Sequence, residues 1–270
     1  MAQPKIGVIH YNWPGYSLEG FLERAAEIGY GYVELQVSDI WDGQSKNGEQ
    51  TAEQTRELLE KHGLQASAVS AGNDFLQPTE EELRAEIDRY RYVCEIVPYV
   101  GTRMVRTDGG WNRSGRVPTD QWDGMLLDAF KRCAEFLEEV DVRIALDNHG
   151  LSTNDGDWEL SLIQRVGSDR LGVNLDTMNY RWFGHDVQKI RHFCDILAPH
   201  VFHTHMKDGT GSRDRYKGAA LGEGEIDLKY AVQCFKNAGY NGVWCAEYEG
   251  PEPEGGVGYE KCYRWLKANL

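Results

Sequence analysis

Eight short apolar runs alternate with eight stretches of helical periodicity, and this rhythm constrains the chain more than anything else in it. KIGVIH (5–10), YVELQV (32–37), LQASAVSA (64–71), TRMVRT (102–107), VRIALDNH (142–149), LGVNLD (171–176), VFHTHMK (201–207) and GVWCAEY (242–248) read as strands. Between them the spacing predicts helices over 17–29, 51–62, from 79 to about Cys94, 125–140, 158–167, 186–197 and 227–239, with a last one over 258–269. Ser17 and Asp227 are N-cap candidates, Gly29 and Gly239 are stop signals, and Thr51 with Gln54 and Thr79 with Glu82 have capping-box spacing. Eight consecutive strand–helix units within 270 residues predict one (β/α)8 barrel domain spanning 1–270. The rival, a doubly wound open sheet, lacks its usual GxGxxG after the first strand.

A formal net charge of −14 argues against a nucleic-acid binder, whose affinity rests on basic contacts to phosphates. No apolar run approaches the length of a membrane span. The start, MAQPKIGVIHYNW, does not read as a signal peptide. The six cysteines are scattered without a CxxC pair, which reads as reduced thiols in a cytoplasmic protein.

In barrels of this type the active site lies at the C-terminal ends of the strands. Strand one ends in His10, strand two carries Glu34, and strand four ends in Arg106 and Asp108. Strand five ends in Asp147, Asn148 and His149, and strand six ends in Asp176 with Asn179 just beyond. Strand seven carries His203, His205 and Lys207, and strand eight carries Glu247 and Glu249. Side chains two apart share a face of a strand, so these groups converge if that face points inward. Asp147, Asp176, His205 and Glu247 form a candidate metal shell suited to Mn²⁺, Mg²⁺, Co²⁺ or Zn²⁺. Each also has a plainer reading. A single histidine on an apolar strand is commonly a satisfied core residue. Either aspartate can cap a following loop or helix, and Glu247 can pair with a strand-four arginine. Four such residues at corresponding strand ends favour the metal, because burying the carboxylates together without a cation is costly.

At these residues the chain resembles the sugar phosphate isomerase/epimerase family of xylose isomerase-like barrels. The likeness runs through GYGYVEL (29–35), LDNHG (146–150), LGVNLDTMN (171–179), HTHMKDG (203–209), LGEGEIDL (221–228) and GVWCAEYEG (242–250). The resemblance implies a divalent metal, Mn²⁺ first, held by the strand-five acid with Asp176, His205 and Glu247. It implies that the metal binds a sugar's carbonyl and adjacent hydroxyl, and that a proton is removed beside the carbonyl to give an enediolate. Glu247 matches one of the two proton-exchanging glutamates of the epimerases. Asp147 stands where the family usually has glutamate, one methylene longer, and Asn179 stands where several epimerases have histidine. His149, on the same face, is then a candidate base, with a supporting hydrogen-bond role as the alternative.

The leading functional reading is a metal-dependent isomerase or epimerase of a sugar or keto-sugar, with Glu247, His149 and Asp147 as catalytic groups. His10, Glu34, Arg106, Asn179, His203, Lys207 and Arg215 are the expected substrate-binding residues. A second reading keeps the site but expels a substituent from a 3-keto-glycoside by β-elimination, with His149 as base. A sugar-binding barrel without chemistry is a third reading. A DNA-repair barrel is disfavoured by the acidic charge and by the few histidines at strand ends. Arg213, Arg215 and Lys217 on the loop after strand seven suit a phosphate or carboxylate, or are simply solvated. The absence of a clear phosphate nest inclines the reading to an unphosphorylated sugar, an oxidised sugar or a glycoside. Barrels of this family often pair through their loops, so a homo-oligomer is an open expectation.

Overall fold

A computed structural model describes residues 3–270. Eight parallel strands close into a barrel: β1 (Lys5–Ile9), β2 (Tyr32–Gln36), β3 (Gln65–Ser70), β4 (Met104–Thr107), β5 (Arg143–Asp147), β6 (Leu171–Asp176), β7 (Val201–Met206) and the last, β10 (Val243–Ala246). β10 pairs with both β7 and β1, which closes the ring. The remaining two strands, β8 (Asp208–Thr210) and β9 (Lys217–Ala219), form an antiparallel hairpin in the loop after β7. The helices are α1 (Leu18–Ile28), α2 (Gly48–Lys61), α3 (Glu80–Ile96), α4 (Trp122–Leu137), α5 (Gly156–Val166), α6 (Asn179–Phe183), α7 (Val187–Leu197), α8 (Leu228–Asn237) and α9 (Val257–Asn269).

The local signals explain most boundaries. Ser17 Oγ accepts from Gly20 N at the start of α1, and Gly29 ends it at φ 112°, a conformation that costs a residue without Cβ little. Thr79 caps α3 and shares a second hydrogen bond with Glu82. Asp227 caps α8. The Thr51 box is a correction: α2 begins a turn earlier, at Gly48, and Thr51 Oγ1 donates to the Asn47 carbonyl inside its first turn. The Tyr92 hydroxyl, far off in sequence, meets the Gly48 N–H, so a tertiary contact overrides the local motif.

The helices lay apolar stripes on the outside of the barrel. Phe21, Leu22 and Ala25 of α1 and Ile190, Phe193, Cys194 and Leu197 of α7 are typical, and all are buried. β6 is buried throughout, as a strand covered on both sides must be. Inside the barrel Ile9, Val243 and Cys245 pack against Tyr32. The polar residues lie towards the C-terminal strand ends. Two register shifts fall there, before Glu34 in the β2–β3 pairing and before Asn174 in the β6–β7 pairing. Such irregularities re-aim the side chains that follow them.

Candidate active site

Alternation carries Asp147, Asn174, Asp176, His203 and His205 inward from three adjacent strands. Asp147 pairs in register with Asn174, and Asp176 with His205. All five are buried. Around them the polar groups sort into two sets.

The first set centres on Arg106. Its Nε donates to Glu34 Oε1 at 2.9 Å and its Nη2 to Ser70 Oγ at 2.7 Å. Its Nη1 reaches Asp147 Oδ2, and also Asp108 Oδ1 at 3.4 Å. Asn174 Nδ2 donates to the other Asp147 oxygen at 2.9 Å. His203 lies deeper, between Asn174 Oδ1 at 2.8 Å and Ser67 Oγ at 3.3 Å. Burial pushes the His203 imidazole down to about 4, so it is neutral. Burial is the largest influence and would raise both acids, but Arg106, His149 and His205 together outweigh it at Asp147, and His205 with Arg106 and His203 outweighs it at Glu34; both carboxyls sit below their usual range. Every oxygen of Asp147 and Glu34 is engaged.

The second set is Asp176, His205 and Glu247, which can present ligand atoms all within 4.8 Å of one another. His205 Nε2 meets Glu34 Oε2 at 2.6 Å, which fixes the ring. Its Nδ1 lies 2.8 Å from Glu247 Oε2, yet out of line for a hydrogen bond. Asp176 Oδ1 accepts from the backbone of Met178 and Asn179, while its Oδ2 has no partner. Burial, opposed mainly by Lys207, pushes the Asp176 carboxyl up to about 7. Lys207 is itself buried. Its Nζ lies 2.9 Å from Glu247 Oε1, 3.1 Å from Glu249, 3.7 Å from Asp176 Oδ2 and 3.3 Å from Asn179 Oδ1. Burial opposes its charge, but these carboxylates hold the ammonium well above its ordinary value. Asn179 Nδ2 is buried and unpaired.

An idle buried polar atom costs roughly 1–3 kcal/mol. Asp176 Oδ2, His205 Nδ1 and Asn179 Nδ2 leave three such atoms in one region, two of them within the ligand trio. Two carboxylates and an imidazole are a donor set that divalent Mn, Mg, Co and Zn accept. The residues present therefore fit a metal ion. Asp147 is not in this trio; it groups instead with Asp108 and His149.

The other expected residues spread around the rim. His149 Nδ1 lies 3.4 Å from Asp147 Oδ2, and its side chain is 35% exposed, so the ring faces the mouth. Burial lowers its basicity, Asp147 raises it, and the net effect is upward. Trp111 packs edge-on against it at 4.7 Å. Trp111 is set in place by Asp74, whose carboxylate accepts from the backbone N–H groups of Leu76, Trp111, Asn112 and Arg113. His10 stacks on Phe21 and bonds Asp39, away from the metal trio. Arg215 is exposed on the hairpin tip, remote from the buried cluster by burial and by contact. Sequence reasoning gave no role to Asn174, although it shares a face with Asp176, nor to Tyr216, whose hydroxyl donates to Glu249 at 2.7 Å.

Asp208 is the staple of the hairpin loop. Its carboxylate accepts from the N–H groups of Gly209, Gly222, Gly224 and Ile226. A Cβ at Gly224 would strike that carboxylate, which is why a glycine stands there.

A closed eight-stranded parallel barrel with this polar floor defines the class. The chain belongs to the xylose isomerase-like TIM barrel family, whose model matches residues 22–269. Among curated proteins none matches it in sequence. Solved structures share its fold. A xylose isomerase-like TIM barrel/4-hydroxyphenylpyruvate dioxygenase fusion protein superposes with a TM-score of 0.79 at 19% identity, over 98% of this chain and 42% of that longer one. The chain thus spans less than half of that fusion. The 3-keto-D-glucoside 4-epimerase YcjR from E. coli gives 0.78 at 13% identity, over 98% and 100%. The IOLI protein with a bound zinc atom gives 0.76 at 18%, over 97% and 96%. Other sugar epimerases are among the structural neighbours. Among the described residues, no helix is long and apolar enough to cross a membrane.

Proposed function

We propose that this chain is a single-domain, divalent-metal-dependent enzyme that removes a proton beside the carbonyl of a sugar or keto-sugar, as an isomerase or epimerase. The observation that carries the reading is the trio of Asp176, His205 and Glu247, with two buried ligand atoms left without hydrogen-bond partners. Sugar epimerases and a zinc-bearing protein among the structural neighbours support it. Six cysteines without a disulfide accord with a cytoplasmic setting.

A divalent ion held by Asp176, His205 and Glu247, with Mn²⁺ the first choice, would draw electron density from a substrate carbonyl and acidify the adjoining C–H. The chain's own groups account for the rest. Lys207 grips Glu247 Oε1 and so turns Oε2 towards His205. Asn179 Nδ2 offers a donor to a substrate oxygen. His149 faces the mouth with Nδ1 towards Asp147, which leaves Nε2 to take the proton. Asp147 is held by Arg106 and Asn174 and acts through His149 rather than on substrate. Glu247 approaches from β10, three strands from β5, and would protonate the opposite face of the substrate carbon with a proton drawn from solvent, while His149 releases the one it holds.

The engagement of Asp147 also favours a second reading. With one rim base in place of a matched pair of carboxylates, proton loss from a 3-keto-glycoside can end in β-elimination of its substituent. Exchange of the substrate proton with D2O without bond cleavage supports the first reading; release of an aglycone supports the second.

Metal analysis of the purified protein tests both. About one divalent ion per chain is expected, falling sharply in His205→Ala and Glu247→Gln. Failure to take up Mn²⁺ by the wild-type protein would overturn the shared mechanism.

A further inference from the structure

Resting on that reading, we infer that the substrate is an uncharged polyhydroxylated carbonyl compound, and that Glu249 is the residue that excludes phosphorylated and carboxylated analogues. Two cations border the buried site, and both are already claimed. Arg106 is spent on Glu34, Asp147 and Asp108. Lys207 is spent on Glu247, Glu249 and Asp176. These six carboxylates outweigh the two cations even with a divalent ion and a protonated His149 added, so the mouth is negative, and His149, already facing Asp147, is the remaining donor an anion could meet there. On the hairpin Arg215 and Lys217 are exposed, and two further cations are turned elsewhere. Arg181 bonds Glu225, and Arg213 donates to the Phe183 carbonyl and lies over its ring.

Glu249 is the outermost of the six. Its side chain is 25% exposed, and its Oε2 is fixed by Lys207 and by the Tyr216 hydroxyl. The hairpin backbone also presses on it, since a Cβ at Gly218 would strike the Glu249 main chain. A carboxylate so held accepts hydrogen bonds from a substrate's hydroxyl groups through its other oxygen, and it repels an approaching phosphate.

The test uses the full chain loaded with Mn²⁺, with metal content measured first. That measurement alone decides whether the metal-dependent reading stands. D-Sorbitol and D-sorbitol 6-phosphate are then titrated, and Mn²⁺-induced relaxation of their proton signals reports binding beside the metal. Sorbitol should bind at least tenfold more tightly, about 1.4 kcal/mol. Glu249→Gln should narrow the gap to less than about threefold, and Tyr216→Phe, which keeps the carboxylate, should leave it open. Equal or tighter binding of the phosphate overturns the inference, and loss of that binding in Arg215→Ala would assign the anion to the hairpin tip instead. A gap unchanged in Glu249→Gln, in protein that melts like wild type, removes Glu249 from the role.

Discussion

The two sides of the barrel floor are made from the same materials and are finished differently. Around Arg106, the oxygens of Glu34 and Asp147 are all matched by donors. Around Lys207, atoms of Asp176, His205 and Asn179 are buried and idle. Saturation marks a network that holds the barrel together, because each charge there is compensated within the protein. Idle atoms mark a place where the fold awaits something it does not supply. His205 joins the two: one nitrogen belongs to the saturated side and the other to the unsaturated one.

The strongest way to break this contrast is Arg106→Ala. It strands two buried carboxylates and should cost about 3–5 kcal/mol in urea unfolding, with the folded fraction still taking up metal. Loss of metal at unchanged stability would mean that the sides are not distinct. Next comes ligand linkage on the other side. Mn²⁺ at about a thousand times its dissociation constant should stabilise the protein by about 4 kcal/mol, seen as a rise in melting temperature that His205→Ala abolishes. Asp208→Ala should then cost about 1–3 kcal/mol by leaving backbone donors without their acceptor. It should also open residues 211–216 to limited proteolysis, and cleavage as slow as in wild type would show that the loop does not depend on it.

Glu159 sharpens the contrast with an idle atom outside the metal trio. Its Oε2 is bonded by the Tyr180 hydroxyl, and Oε1 has no partner. Burial lifts its carboxyl well above the ordinary range, against the pull of Tyr180. The folded protein therefore keeps a proton that the unfolded chain loses near pH 4.5. Its contribution is intact below that pH and declines as pH rises towards the folded-state value, by at most about 1.4 kcal/mol per unit. Glu159→Gln should flatten this slope between pH 5 and 8 in urea titrations and gain on wild type as pH rises. An unchanged slope would mean that the acid is ionised when folded. The smallest effect belongs to a site outside both regions: Thr79→Ala should cost about 1 kcal/mol through the lost cap, with metal uptake untouched.

The parts legible in the sequence are those set by neighbours along the chain. Alternation and caps placed β6 at 171–176, ended α1 at Gly29 and began α3 after Thr79. The same alternation put His205, Asp176 and Asp147 on inward faces. What sequence could not disclose is partner choice. Asp147 is taken up by Arg106, 41 positions away, and Glu34 meets His205 from 171 positions away. Nothing local distinguishes a carboxylate that a guanidinium will occupy from one that will remain open. The β8–β9 hairpin and α6 were missed for a related reason. They are three and five residues long, too short for periodicity, and the hairpin rests on the single carboxylate of Asp208.

That hairpin has a consequence for how such a barrel can be diversified. Its two legs are fastened below, by Asp208 to the turn at 222–226 and by Tyr216 to Glu249, while the tip at 213–215 is exposed. Insertions or randomised sequence at 214–215, with Arg213 left on the Phe183 carbonyl, would change the exposed surface of the hairpin without shifting the strand ends beneath. The protein thus carries a built-in cassette, and a library restricted to those few positions would vary an exposed surface while leaving the barrel and its polar floor unaltered.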